Sequence, residues 1–208
     1  MIKIENTSIY GWESAIRGMR NPMNSWEKSD SIIDRYGLVY IGENDLKLMQ
    51  QLVKAGTDHS KFMRMITVTV DITAPLYWWK EFDTYKVGTV RNSCSTMHKI
   101  HEKEFTLDDF SHEHLCSNSE KILKKVIELL NLECKNFIIS KDKFCWWQLI
   151  QLLPSSYNQR ATVLLNYAVL RNMYHSRKNH KLDEWREGFC SWAESLPYSE
   201  LITEGGEK

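Results

Sequence analysis

Neither sign of charge is in excess in this chain, where 27 Lys plus Arg balance 27 Asp plus Glu over 208 residues. Without a net field to gather a polyanion, general nucleic-acid or membrane-surface binding has no compositional basis, although a local basic pocket stays compatible with it. Long apolar runs are missing too: no stretch approaches the length of a membrane span, and Met1 to Ser8 alternates charged and apolar residues where a signal peptide needs an apolar core. The expectation is a cytoplasmic protein with no membrane segment. The five cysteines (Cys94, Cys116, Cys134, Cys145, Cys190) are odd in number, scattered and without a Cys-x-x-Cys pair, which points to reduced thiols and not to a disulfide framework. Repeats, low-complexity tracts and linker-like segments are absent as well. A single domain over residues 1–208 is therefore expected, with 202–208 as a frayed tail.

What the chain does have is aromatic mass: eight Trp and nine Tyr, some adjacent, as in Tyr77-Trp78-Trp79 and Trp146-Trp147. Burial in a core or a subunit interface accounts for these more readily than stacking on a ligand. Ile2 to Ile4 suits the start of a strand, and Ser8 to Met19 has Ile9, Trp12, Ile16 and Met19 at helical spacing. Asp45 to Ala55 is a second predicted helix, with Asn44 as N-cap and Gly56 after its end. Phe62 to Ile72 alternates in the manner of a half-buried strand, and Pro75 opens a short aromatic helix to Phe82. Glu120 to Leu130, capped by Ser117 or Ser119, Lys143 to Leu153, Gln159 to Arg177 and Leu182 to Glu194 complete the predicted helices, the third being the longest.

Leu153-Pro154-Ser-Ser-Tyr157, followed by Asn166 and Arg177, resembles the flavin-dependent thymidylate synthases, in which a Leu-Pro turn leads to a helix bearing an Asn and a nucleotide-binding Arg. Ala55-Gly56-Thr-Asp-His59-Ser60, the alternating strand and Trp79 to Lys86 stand where that family has its Gly-His-x-Ser segment, its strand and its Arg-His-Arg motif. The order of elements matches over roughly residues 1 to 195. The family pattern Arg-His-Arg-x-x-Ser-x-Asn-Glu-x-Ser-x-Arg-Tyr falls on Thr84, Tyr85, Lys86, Thr89, Arg91, Asn92, Cys94, Thr96 and Met97, of which Lys86 and Thr89 are the conservative replacements. A Glu-His pair falls on Met63 and Arg64, the second helix Arg on Ala168, and the Arg before the Leu-Pro turn on Ile150.

The resemblance implies an α+β fold, a central sheet flanked by helices with a long C-terminal helical half, assembled as a homotetramer. It also implies transfer of a one-carbon unit from reduced folate to a deoxyuridine nucleotide, with FAD as cofactor and NADPH as electron donor. Carried over position by position, Arg177, Lys86, Thr89, Arg91 and Cys94 would face the nucleotide, and Asn166, Ser60 and Arg64 the flavin. No residue is assigned as catalytic. On one helix, Asn166 and Arg177 would lie about 16 Å apart on nearly one face. A buried structural Asn and an Arg paired with a neighbouring carboxylate are the plainer alternative for this pair. For the whole chain the alternative is an inactive nucleotide-binding or interaction protein on the same scaffold.

Cys94 is open to two readings, a thiolate able to add to a pyrimidine C6 and a small incidental thiol. His98, His101, His112, His114 and Cys116 have zinc-compatible chemistry but no zinc-type spacing, so no metal is assigned.

Overall fold

The computed structural model describes residues 1–35 and 39–205. In chain order the elements are β1 (Lys3–Tyr10), α1 (Trp12–Arg20), β2 (Ile32–Ile33), β3 (Val39–Tyr40), α2 (Glu43–Lys54), β4 (Thr67–Pro75), α3 (Leu76–Phe82) and β5 (Val90–Ser93). They continue with α4 (Ser117–Ser140), α5 (Lys143–Leu152), β6 (Asn158–Asn166), α6 (Tyr167–Arg177), a π-helical turn (Glu184–Cys190), α7 (Ser191–Glu194) and α8 (Glu200–Thr203). The fold is α+β around a four-stranded sheet of order β1-β4-β6-β5, with β2 and β3 forming a separate antiparallel pair. Pairing of β4 with β6 is antiparallel: Tyr167 N donates to Ile66 O at 3.0 Å, Leu76 N to Tyr157 O at 3.0 Å, and midway between them Thr162 Oγ1 donates to Asp71 Oδ1 at 2.6 Å.

The strands obey the period of two. Ile66, Val68, Val70, Ile72 and Ala74 are buried, as are Gln159, Ala161, Val163 and Leu165 of β6. Burial of each large aliphatic side chain contributes on the order of 1.5–3 kcal/mol before entropy is counted.

Contacts divide the chain into two compact units. The first comprises Met1–Lys3, Ile72–Thr84 and Asn92–Ala161. In it Trp78, Trp79 and Phe82 are fully buried and pack ring on ring, with centroids 4.9 to 5.3 Å apart, so the tryptophan pair of α3 belongs to a core. Trp79 Nε1 donates to Gln159 O at 2.9 Å, satisfying the indole. A second cluster joins Leu123, Ile127, Leu130 and Cys134 of α4 to Leu149 of α5, with Ile100, Phe105 and Phe110 supplied by the intervening loops. Asp142 starts α5 by accepting from Phe144 N at 2.9 Å.

The second unit comprises Ile4–Asp71, Tyr85–Arg91 and Thr162–Lys208. At its centre Arg20 Nε donates to Asp45 Oδ1 at 2.7 Å, with side chains only 5% and 0% exposed. The other carboxylate oxygen of Asp45 accepts from the Ser29 and Ser31 hydroxyls at 2.6 Å each and from the Asp30 and Ser31 amides. Arg20 also donates to the Ser25 and Lys28 carbonyls, so one ion pair fastens the whole 25–31 segment to α1 and α2. Asp30 in turn accepts from the Asn44 and Asp45 amides at the start of α2. Gly42 is required there: a Cβ would lie 2.2 Å from the Asp30 carboxyl carbon.

Several sequence expectations change. The helix expected over 8–19 starts at Trp12, since Ser8 to Tyr10 end β1. The strand expected from Phe62 starts at Thr67, because Ser60–Arg64 is a 3-10 turn. Asn44 is not the N-cap; that position is Gly42, with Asp30 accepting the amide hydrogen bonds from across the chain. Cys116, not Ser117 or Ser119, occupies the N-cap of α4, which runs ten residues past Leu130 and is the longest described helix. The helix expected over 159–177 is β6 followed by α6: the alternation of Ala161, Val163 and Leu165 with Arg160, Thr162 and Leu164 is a strand pattern, and Asn166 is an N-cap. The C-terminal half is therefore less continuously helical than expected. The helix expected over 182–194 is a π turn running into α7. Ile202 and Thr203, placed in the frayed tail, end α8 instead; Arg171 Nη1 donates to the Leu201 and Ile202 carbonyls at 3.2 and 3.3 Å. The rest of that expectation, beyond Gly205, falls outside the described residues.

Burial alone would raise the Asp45 pKa, but hydrogen bonds from Ser29, Ser31 and Arg20 outweigh it and hold the carboxyl below its ordinary range. Asp45 therefore stabilises the fold above the unfolded carboxylate pKa of about 3.9, and that stability is lost as pH falls through the lower folded value. Asp45→Ala leaves Arg20 buried and unpaired. It is expected to cost about 3–5 kcal/mol in urea denaturation at pH 7, with much of that loss disappearing when the same comparison is made in acid.

Candidate functional site

Helix α6 places the first residues of the site. Its N-cap is Asn166, whose side-chain oxygen accepts from Val169 N at 3.0 Å, and Arg177 closes its last turn. A cation there complements the negative end of the helix dipole. The eleven-residue spacing still puts the two about 16 Å apart along the axis, now as N-cap and final residue.

Tyr85–Arg91 brings a second set of residues to the same unit. Gly88 lies against the start of α6: its φ is +81°, and a Cβ there would come within 2.9 Å of Val169 Cγ2 and 3.3 Å of the Asn166 amide nitrogen. Thr89 Oγ1 donates to the Tyr85 carbonyl and braces the loop from within. At the far end of α6, Arg177 Nε donates to the Tyr85 hydroxyl at 2.8 Å. The guanidinium carbon sits 5.4 Å from the Tyr85 ring centroid and 4.9 Å from that of Trp185, which is fully buried. Such cation–π contacts contribute about 0.5–2 kcal/mol. Trp185 is carried by the π turn, a distortion that recurs at functional sites.

The sequence-derived site residues separate on this basis. Asn166, Thr89 and Arg177 are joined through the Tyr85–Arg91 segment and α6; Lys86 lies on that segment with its side chain exposed, and Arg91 is half-buried on β5. Ser60 and Arg64 open and close the 3-10 turn of the same unit, Ser60 half-buried and Arg64 exposed. Met63, at a position where the resemblance calls for a charged residue, is fully buried and serves the core.

Cys94 belongs to the first unit. Its amide donates to Arg160 O at 2.9 Å, and it lines a cavity of about 270 Å³ with Lys99, Lys103 and Tyr157. Among the described residues, no three of the His, Cys, Asp and Glu side chains converge as metal ligands. His112 Nδ1 instead lies 2.8 Å from the Phe110 carbonyl, and His101 packs on the Phe137 ring.

Sequence reasoning missed two parts of the site. Tyr85 was noted only as a replacement for a histidine, and Trp185 only as part of a helix. An aromatic eight residues beyond an arginine carries no signal unless the intervening turn is known. His175 on α6 is held below the ordinary imidazole range by burial, then by Arg171 and Lys178.

No protein-family profile matches the sequence, and no curated relative matches it. Solved structures do. Thymidylate synthase X from Helicobacter pylori, solved with FAD and dUMP, superposes with a TM-score of 0.71 at 16% identity, covering 98% of each chain. The UMP/dUMP methylase PolB from Streptomyces cacaoi, bound with 5-Br dUMP, gives a TM-score of 0.62 at 12% identity, covering 98% of this chain and 95% of that one. Among the described residues, no helix is long and apolar enough to cross a membrane. This chain has the fold of the flavin-dependent thymidylate synthases along almost its whole length.

Proposed function

We propose that the protein binds a uracil nucleotide and methylates it at C5, taking the one-carbon unit from reduced folate in a flavin-dependent reaction, with NADPH as electron donor. The observation that carries this reading is Arg177: in a fold whose solved examples hold dUMP or UMP analogues, the cation stands at the end of α6 against two aromatic rings. A guanidinium forms bidentate hydrogen bonds to phosphate, which suits Arg177 to the nucleotide's anionic end. Lys86 and Arg91 would add positive charge along the Tyr85–Arg91 segment, where a uracil carbonyl gaining negative charge needs it, and Thr89 would contribute a hydroxyl.

The residues present fit FAD with fewer charged contacts than the resemblance implies. The Asn166 amide nitrogen at Gly88, the half-buried Ser60 and the exposed Arg64 are donors suited to it. Buried Met63 and half-buried Ala168 replace charged partners. When bound, a reduced flavin would supply the hydride that completes the methyl group.

The protein is further proposed to assemble as a homotetramer. Ile122, Leu129, Leu132 and Ile139 fall on one face of α4 and are 44 to 84% exposed, an apolar stripe suited to a subunit contact.

Three measurements test this. Arg177→Ala is expected to keep the fold and weaken dUMP binding in calorimetry by about 2 kcal/mol, roughly thirtyfold; equal binding by variant and wild type, or no binding of dUMP or UMP by wild type, removes the nucleotide reading. Each charged hydrogen bond lost to the flavin costs about 1.5–3 kcal/mol, so protein as purified is expected to be low in FAD and to turn yellow on reconstitution. A colourless protein that takes up no FAD would favour a nucleotide-binding protein without catalysis, and tight stoichiometric FAD would contradict the weak-binding argument. Light scattering should give the tetramer mass for wild type and a smaller species for Leu132→Lys; a stable wild-type monomer at micromolar concentration would exclude a shared site.

A further inference from the structure

We infer that Tyr85 is a positioning residue for Arg177, fixing the guanidinium for a phosphate; this rests on the nucleotide reading above. Three observations meet at Tyr85. Its hydroxyl accepts from Arg177 Nε at 2.8 Å, which sets the rotation of the guanidinium about its long axis. Its ring and that of Trp185, inclined at 61° to one another, both lie against the cation and confine it from two sides. The loop that carries it is itself held, by Thr89 Oγ1 on the Tyr85 carbonyl and by Gly88 pressed on Val169 and Asn166.

A long arginine side chain gives up rotamer freedom when it grips a ligand, and preorganisation removes that cost from the binding step. Tyr85 takes the place of the histidine of the family's Arg-His-Arg motif, while both flanking arginines are replaced, by Thr84 and Lys86. A site with fewer cations gains more from holding one of them still. The hydroxyl is the part of Tyr85 that does this and the ring alone cannot.

Tyr85→Phe keeps the ring and deletes the hydroxyl, so it separates positioning from packing. Binding of dUMP is read by calorimetry and of deoxyuridine, which lacks the phosphate, by NMR titration, with Arg177→Ala and the double variant beside them. Tyr85→Phe is expected to weaken dUMP about five- to tenfold while leaving deoxyuridine and the melting temperature unchanged, and to add nothing further in the Arg177→Ala background. If Arg177→Ala loses dUMP but Tyr85→Phe binds it as wild type does, Arg177 keeps its role and the positioning inference fails alone. If both ligands weaken equally, or Tyr85→Phe unfolds, Tyr85 is a packing residue and the inference is overturned. If wild type does not bind dUMP, or Arg177→Ala binds it normally, the nucleotide reading falls and the inference falls with it.

Discussion

The pairing of β6 with β4 is the constraint on which the rest of the structure depends. Its register is pinned by Ile66 with Tyr167, Asp71 with Thr162 and Leu76 with Tyr157. A slip of one residue would turn Ala161, Val163 and Leu165 from the buried face to the open one. The same register fixes where β6 ends, and therefore where Asn166 caps α6 and where Arg177 emerges. Tyr167, the first residue of α6, then locks the start of the helix: it is fully buried, its ring packs edge-on to Trp12 at 5.1 Å, and its hydroxyl donates to Pro197 O at 2.6 Å.

Two kinds of polar burial support this frame differently. Asp45 is a structural hub: every oxygen is occupied by the chain itself, and its charge is repaid by Arg20 and two serine hydroxyls. Arg177 contacts the rings of Tyr85 and Trp185 and donates to the Tyr85 hydroxyl.

Positions at which the resemblance calls for other residues also show a physical pattern. Met63 is part of the core, Ala168 is a small helix residue, and Tyr85 contacts Arg177. The buried faces of β4 and β6 and the N-cap of α6 are built from other side chains. Similarity of shape at 16% identity is what such a division predicts.

By itself the sequence determined the α+β class, the buried face of β4, the helical cores of α2, α4 and α5, and, through the Leu153-Pro154 turn with Asn166 and Arg177, the fold and the C-terminal end of α6. These were legible because period, cap and turn chemistry are local. Tertiary structure alone decided that 158–166 is a strand: its apolar residues suit a helix face nearly as well, and only pairing with β4 selects the extended form. It also decided that Asp30 receives the start of α2 from across the chain, that Asp45 is buried with Arg20, and that Tyr85 and Trp185, 100 positions apart in sequence, close on Arg177. Such contacts join residues far apart along the chain, and no local pattern of side chains encodes which distant partner a polar group will find.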